Sequence, residues 1–289
     1  MQISNFFRLG KDAVQAWLDD YAPSMGAAIA FYTVFSLAPL VLIVLAIAGF
    51  FWGEDAVRGQ LFAQFQGLFG ADGAKAVEGV VQSADSPGEG AASTAISVVI
   101  LAVGATTVFA ELQSALDRIW EVPPMQKKTG IINMLRARLL SFGLVLGLAF
   151  LLIVSLVVSA FLSALGTWTT GLLPGMELLL QALNIVVSLA ILTTLFAMIY
   201  RFMPQATVAW RDVWVGALVT AILFEVGKYL IGLYIGKAAI SSSYAAAGSL
   251  VVVLIWVYYA AQVFLLGAEF TWAYANAHGS RKRIEPAPP

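Results

Sequence analysis

With 289 residues, 60% hydrophobic and only 11% charged, the chain is too apolar and too poor in charge for an ordinary soluble domain and reads as an integral membrane protein. A formal net charge of -1 argues against a nucleic-acid-binding surface, which would show a basic excess. The absence of cysteine removes disulfides, thiolate metal sites and thiol nucleophiles, and leaves the redox compartment undetermined.

Residues 3–18 place Phe6, Phe7, Leu9, Val14, Trp17 and Leu18 among polar residues at helical spacing. That spacing predicts an amphipathic helix, either lying at the membrane surface or packed on the bundle as a short cytoplasmic helix. Arg8, Lys11, Asp12, Asp19 and Asp20 interrupt the same stretch, so no cleavable signal is expected. A first span is expected over 27–51. Pro39 lies inside it, after Tyr32, and removes one backbone hydrogen bond, which predicts a static kink or a hinge. The stretch 54–90 is polar and mostly acidic, with Glu54, Asp55, Asp72, Glu78, Asp85 and Glu89 against Arg58 and Lys75. Val57, Leu61, Phe65 and Leu68 keep a helical interval, while Gly70 and Asp72 supply a stop and a new N-cap. A small helical hairpin outside the membrane is expected there.

A second span over 91–110 continues as a helix to Trp120, with Thr107, Glu111, Ser114 and Arg118 forming a polar stripe. Pro123 and Pro124 end it. The third span, 139–165, carries Gly143 and Gly147 in GxxxG spacing, which permits close packing within one bundle or between subunits of a homo-oligomer. The fourth, 178–200, has Gln181, Asn184 and Ser188 on one face. The fifth and sixth cover 213–235 and 245–272, and a polar tail occupies 276–289. With the N-terminus inside, the inner segments hold Arg8, Lys11, Arg118, Lys127, Lys128, Arg136, Arg138, Arg201, Arg211, Arg281, Lys282 and Arg283, against Arg58, Lys75 and Lys237 outside. That bias predicts an all-α polytopic membrane protein: one membrane domain of six transmembrane helices with both termini cytoplasmic.

The candidate pathway residues are the ionisable and polar groups of these spans. Glu225 and Lys228 are three residues apart, near mid-membrane in the fifth span, where opposite charges neutralise each other or line a solute or proton path. Tyr258, Gln262 and Glu269 share one face of the last helix, so Glu269 is expected to point into a bundle or an aqueous vestibule. Glu111 and Glu269 lie near the inner surface, within reach of Arg118, Arg201 or Arg136 as anchors. Trp52, Trp120, Trp168 and Trp272 read as interfacial anchors. The only histidine is His278, Asp117 and Glu121 fit an ordinary solvated face, and no phosphate-cradling loop is present. No catalytic residue, metal or cofactor is implied, and the partners expected are the lipid bilayer and a small solute or ion, with no nucleic acid.

Four segments carry a family resemblance: GAAIAFYTVFSLAPL at Gly26 to Leu40, ALDRIWEV at Ala115 to Val122, YRFMPQATVAWRDVWVGA at Tyr200 to Ala217, and YAAAGSLVVVLIWVYYAAQVFLLGAEF from Tyr244. In this order they resemble the YihY/BrkB family of bacterial inner-membrane proteins over nearly the whole chain. By that resemblance Tyr32, Pro39, Arg118, Pro204, Asp212, Gly216, Tyr244, Gly248, Gly267 and Glu269 fall on the family pattern. Ala245 departs from the glycine expected after the tyrosine, and Gln205 to Thr207 lack the basic character of that loop. The resemblance implies six spans in a bacterial plasma membrane and no settled activity. A virulence-factor label and a ribonuclease BN label attach to members, and the second finds no chemical support in a chain with one histidine. The function expected is movement, or gating of movement, of a small solute or ion; a structural or partner-binding envelope protein is the alternative, its acidic outer hairpin or its basic inner face engaging another protein or anionic lipid.

Overall fold

The computed structural model describes residues 3–84, 107–123, 176–237 and 245–281, and each regular element among them is an α-helix. The helices are α1 (Ile3–Asp19), α2 (Ala22–Trp52), α3 (Glu54–Ala84), α4 (107–119), α5 (Met176–Phe202), α6 (Trp210–Lys237) and α7 (Ala245–Ala277). The expected third span and most of the second lie outside the described residues, as do Tyr244, Trp168, Arg136 and the GxxxG pair. The expected first, fourth, fifth and sixth spans fall within α2, α5, α6 and α7. Among the described residues, Ala182–Phe202 and Val251–Ala277 are long and apolar enough to cross a bilayer.

The chain divides into two compact units, each assembled from separated segments. The first comprises Met1–Val14, Ile119–Ile222 and Gly267–Pro289. There α1 lays Leu9 and Ala13 against Phe270 and Ala273 of α7, with Val215, Val219, Trp272 and Tyr274 around them. Phe6 packs its ring 5.5 Å from that of Phe270. Phe7, by contrast, is 79% exposed. The helix thus has one apolar face for the bundle and another left open, which suits a helix at a membrane interface.

The second unit comprises Gln15–Arg118 and Leu223–Leu266. It opens on a tight turn in which Tyr21 takes the left-handed conformation, φ 57°, and Pro23 enters the first turn of α2, where no amide donor is needed. Arg118 closes over this turn, with its guanidinium 5.5 Å from the Tyr21 ring and 3.7 Å from the Asp20 carboxylate. The helix α2 then runs unbroken past Pro39 for 31 residues, about 46 Å. It ends at Gly53, whose φ of 86° turns the chain back.

The expected outer hairpin does not form. Residues 54–84 make one continuous helix, α3, folded back along α2. Gly70 and Asp72 do not stop it. A glycine inside a helix costs only about 1 kcal/mol, and the apolar stripe keeps its interval of four on both sides of that point. Val57, Leu61 and Phe65 on one side, and Val77 and Val81 on the other, pack into the same cluster as Ala30, Val41 and Leu45 of α2. Val253, Trp256 and Val257 of α7 complete it, with the Trp256 ring edge-on to Phe224 of α6.

Two expectations about α4 and its end also change. Asp117 is buried rather than solvated, and Trp120 is among the most buried side chains of the protein rather than an interfacial anchor. Trp120 sits in a packed site in the first unit, with the Arg281 guanidinium 4.9 Å above its ring. Glu121 next to it is exposed with φ 50°, a conformation that costs an L-residue about 1 kcal/mol and glycine nothing. Glu121→Gly is therefore expected to raise the thermal unfolding midpoint in detergent, by about 1 kcal/mol of stability.

Candidate functional site

Among the described residues, several polar side chains lock helices together, and the Glu225–Lys228 pair does not. The lock lies in the first unit, where α5, α6 and α7 meet. Gly216 and Thr220 are one turn apart on α6, and Gly267 and Thr271 one turn apart on α7. They interdigitate reciprocally: a β-carbon on Gly216 would come 2.7 Å from Cβ and 3.1 Å from Cα of Thr271, and one on Gly267 would come 2.8 Å from Cβ of Thr220. Each threonine hydroxyl donates to its own helix, Thr220 to the Gly216 carbonyl at 2.8 Å and Thr271 to the Gly267 carbonyl at 2.7 Å. Tyr200 of α5 shares a further hydrogen bond of 3.0 Å with Thr220. Small residues facing hydroxyl-bearing ones allow backbones to approach and leave no polar group exposed to lipid. The two glycines stand on the pattern of the family resemblance; Thr220, Thr271 and Tyr200 were missed, and the signal was the repeated Gly-x-x-x-Thr.

Asp212 makes a second fixture. Its carboxylate is fully buried at the start of α6 and accepts from the Ser280 amide at 2.9 Å and the Ser280 hydroxyl at 2.6 Å. This fastens the turn after α7 to the first turn of α6, where a negative charge also complements the helix dipole. Removing the carboxylate in Asp212→Ala should release that turn. Tryptic cleavage after Arg281 is expected to accelerate about tenfold, as befits loss of a charged acceptor. Pro204 is buried in the turn joining α5 to α6, which Arg201 braces by donating to the Val208 carbonyl.

In the second unit, Gln262 abuts Gly26, where a β-carbon would come 2.9 Å from Cδ of Gln262, and its Nε2 donates weakly to the Pro23 carbonyl at 3.4 Å. Tyr258 is exposed, and its neighbour Tyr259 is the tyrosine that reaches across, bonding the Leu223 carbonyl at 3.2 Å beside Gly227. Tyr32 is exposed with its ring edge-on to Phe31. Glu111 is half-buried, and the carboxylate that pairs with Arg118 is Asp20. Glu269 is fully buried in the first unit. Trp272 is half-buried in the apolar cluster against α1. Gly248 lies within α7.

The remaining pair is Glu225 and Lys228, 2.7 Å apart on α6. Their side chains are 40% and 38% exposed. Glu225 stands about 22 Å from the start of a helix about 42 Å long, hence near its middle. Here the structure brings together the two residues that the spacing paired. Among the described residues no group of three His, Asp or Glu side chains converges to hold a metal ion.

The sequence model of the family described as Virulence factor BrkB matches residues 13–289. The chain belongs to the BrkB family. Its relatives are named as membrane proteins, the class to which this chain also belongs. A UPF0761 membrane protein of Pseudomonas paraeruginosa is 28% identical over 279 residues, covering 94% of this chain and 64% of the relative. One from Stenotrophomonas maltophilia is 29% identical over 269 residues, covering 90% of this chain and 59% of its own length. One from Alteromonas mediterranea is 29% identical over 262 residues, covering 90% and 85%. This BrkB-family chain thus spans somewhat under two thirds of the length of the first of these relatives. No solved structure matches it. The family model covers each fixture described above, from the Arg118 clasp to the Ser280 turn.

Proposed function

We propose that this BrkB-family membrane protein is a multi-pass protein of the bacterial inner membrane that moves, or gates the movement of, a small solute or ion, and that it does so without catalysing a covalent reaction. Six spans with both termini cytoplasmic is the topology that the distribution of Lys and Arg supports. The observation that carries the functional reading is the Glu225–Lys228 pair. Two charges placed mid-helix with two fifths of each side chain exposed are expensive against hydrocarbon, and far less so against water. A pair held in that state marks an aqueous surface within the membrane. Among the described residues, Thr220, Thr271 and Tyr200 are consumed in packing and Asp212 in fastening a turn.

The test is electrical. Purified protein in liposomes on a solid support is perfused with ions, organic acids and amphiphiles across a pH step. A solute-dependent current in the wild type that Glu225→Gln abolishes supports the reading. A current that persists in Glu225→Gln removes the pair from the path. The second reading, a structural envelope protein, draws on the same interlocks, which are built for rigidity; it expects a reproducible heteromeric partner on crosslinking in intact membranes.

A further inference from the structure

A groove of about 540 Å³ opens on the first unit between α5 and α6, lined by Leu189, Thr193, Trp214, Val215 and Leu218 among others. Its volume is on the scale of a small-molecule site, but its chemistry is that of a hydrocarbon slot. The two hydroxyls on its wall are spent on their own helix: Thr193 donates to the Leu189 carbonyl at 2.7 Å and Thr194 to the Ala190 carbonyl at 2.8 Å. With both hydroxyl protons engaged, a polar solute would find few partners there. An alkyl chain would lose nothing.

Two arginines stand beside the groove, outside its lining, on the side of Trp214. Arg211 stands one helical turn before Trp214 and Val215 on α6, so its side chain shares their face, and it is 71% exposed. Its contact with Asp212 is a long 3.9 Å from Nε to Oδ1, a single weak contact for a group with five donors. The guanidinium therefore keeps donors to offer. Arg201 adds a second positive charge nearby, its guanidinium 5.9 Å from the ring of Trp210, which packs in turn 6.4 Å from Trp214. Trp210 and Trp214 are both exposed, as tryptophans at a membrane interface are. An apolar slot that ends at an interfacial tryptophan pair and a planar, bidentate donor has the order of parts of a phospholipid: acyl chain, glycerol level, phosphate.

We infer that this groove is a binding site for an anionic phospholipid of the surrounding bilayer, with one acyl chain against Leu189, Thr193 and Leu218 and the headgroup phosphate on Arg211. The inference rests on α5 and α6 crossing the membrane and is independent of whether the protein transports anything.

Native mass spectrometry of the full chain, released from detergent after titration with phosphatidylglycerol or phosphatidylcholine of matched acyl chains, tests it. The wild type should retain phosphatidylglycerol in preference. Arg211→Gln, at an exposed position where folding is not at risk, should reduce that preference about fivefold while leaving retention of phosphatidylcholine unchanged. Leu218→Trp, which fills the slot from an exposed position, should reduce retention of both lipids. Equal retention of the two lipids by the wild type, or an unchanged preference in Arg211→Gln, overturns the site. A dimer lost in Leu218→Trp and indifferent to lipid also overturns it, because the groove would then be a contact between copies.

Discussion

Gly216→Val is expected to cost about 3 kcal/mol of stability and to reduce sharply the amount of folded protein in the membrane. The obstruction is not a flexible side chain that can swing aside. A β-carbon at 216 comes within 3.1 Å of the Thr271 Cα, so α7 itself would have to retreat from α6. Retreat would stretch the facing contact of Gly267 with Thr220 and, through it, the hydrogen bond to Tyr200. Unfolding by denaturing detergent, followed by tryptophan fluorescence, measures the loss. The reciprocal arrangement gives its own control: Thr271→Gly opens space opposite residue 216, so the double variant should recover part of the deficit, a coupling of about 1–2 kcal/mol. A double variant no more stable than Gly216→Val would show that the close approach is not what makes the glycine necessary.

The second large effect separates a charge pair that works from one that only keeps itself neutral. Lys228→Met leaves Glu225 without its partner in mid-helix, a cost that rises toward about 2.5–3.5 kcal/mol where the site meets hydrocarbon and is smaller where it meets water, and should lower accumulation in the membrane. Glu225→Gln combined with Lys228→Met removes both charges and should restore accumulation to near the wild-type level. If the pair lies on a permeation path, the double variant accumulates normally and its solute-dependent current falls at least tenfold. If the pair is merely self-neutralising, accumulation and current return together. Immunoblotting of membranes beside liposome currents distinguishes the two results.

Much of the helical layout was legible because its signal is local. Long apolar runs located α2, α5, α6 and α7, and an interval of three paired Glu225 with Lys228. What escaped depended on partners far along the chain. Gly70 and Asp72 carry the local chemistry of a helix break, yet Val77 and Val81 find α2 and hold the helix through it. Asp117 and Trp120 look like surface and interface residues until the rest of the fold covers them. Tyr259 rather than Tyr258 reaches α6, because Gly227 leaves room for its ring, and nothing within α7 announces that vacancy. The Asp212 carboxylate meets Ser280 across 68 positions of sequence, a separation that no periodicity spans.

The division of the chain has a consequence for how the protein is made. Neither compact unit is a continuous stretch, and the final helix serves both: residues up to Leu266 belong to one and those from Gly267 to the other. During synthesis the second unit lacks Val253, Trp256 and Val257 until α7 is being made, and the first lacks Gly267, Thr271 and Ser280 for longer still. Neither can therefore mature before α7 is made, and the second completes ahead of the first. A nascent chain stalled at 266 should leave the earlier helices in the bilayer without their lock, a substrate for membrane quality-control proteases rather than a working fragment.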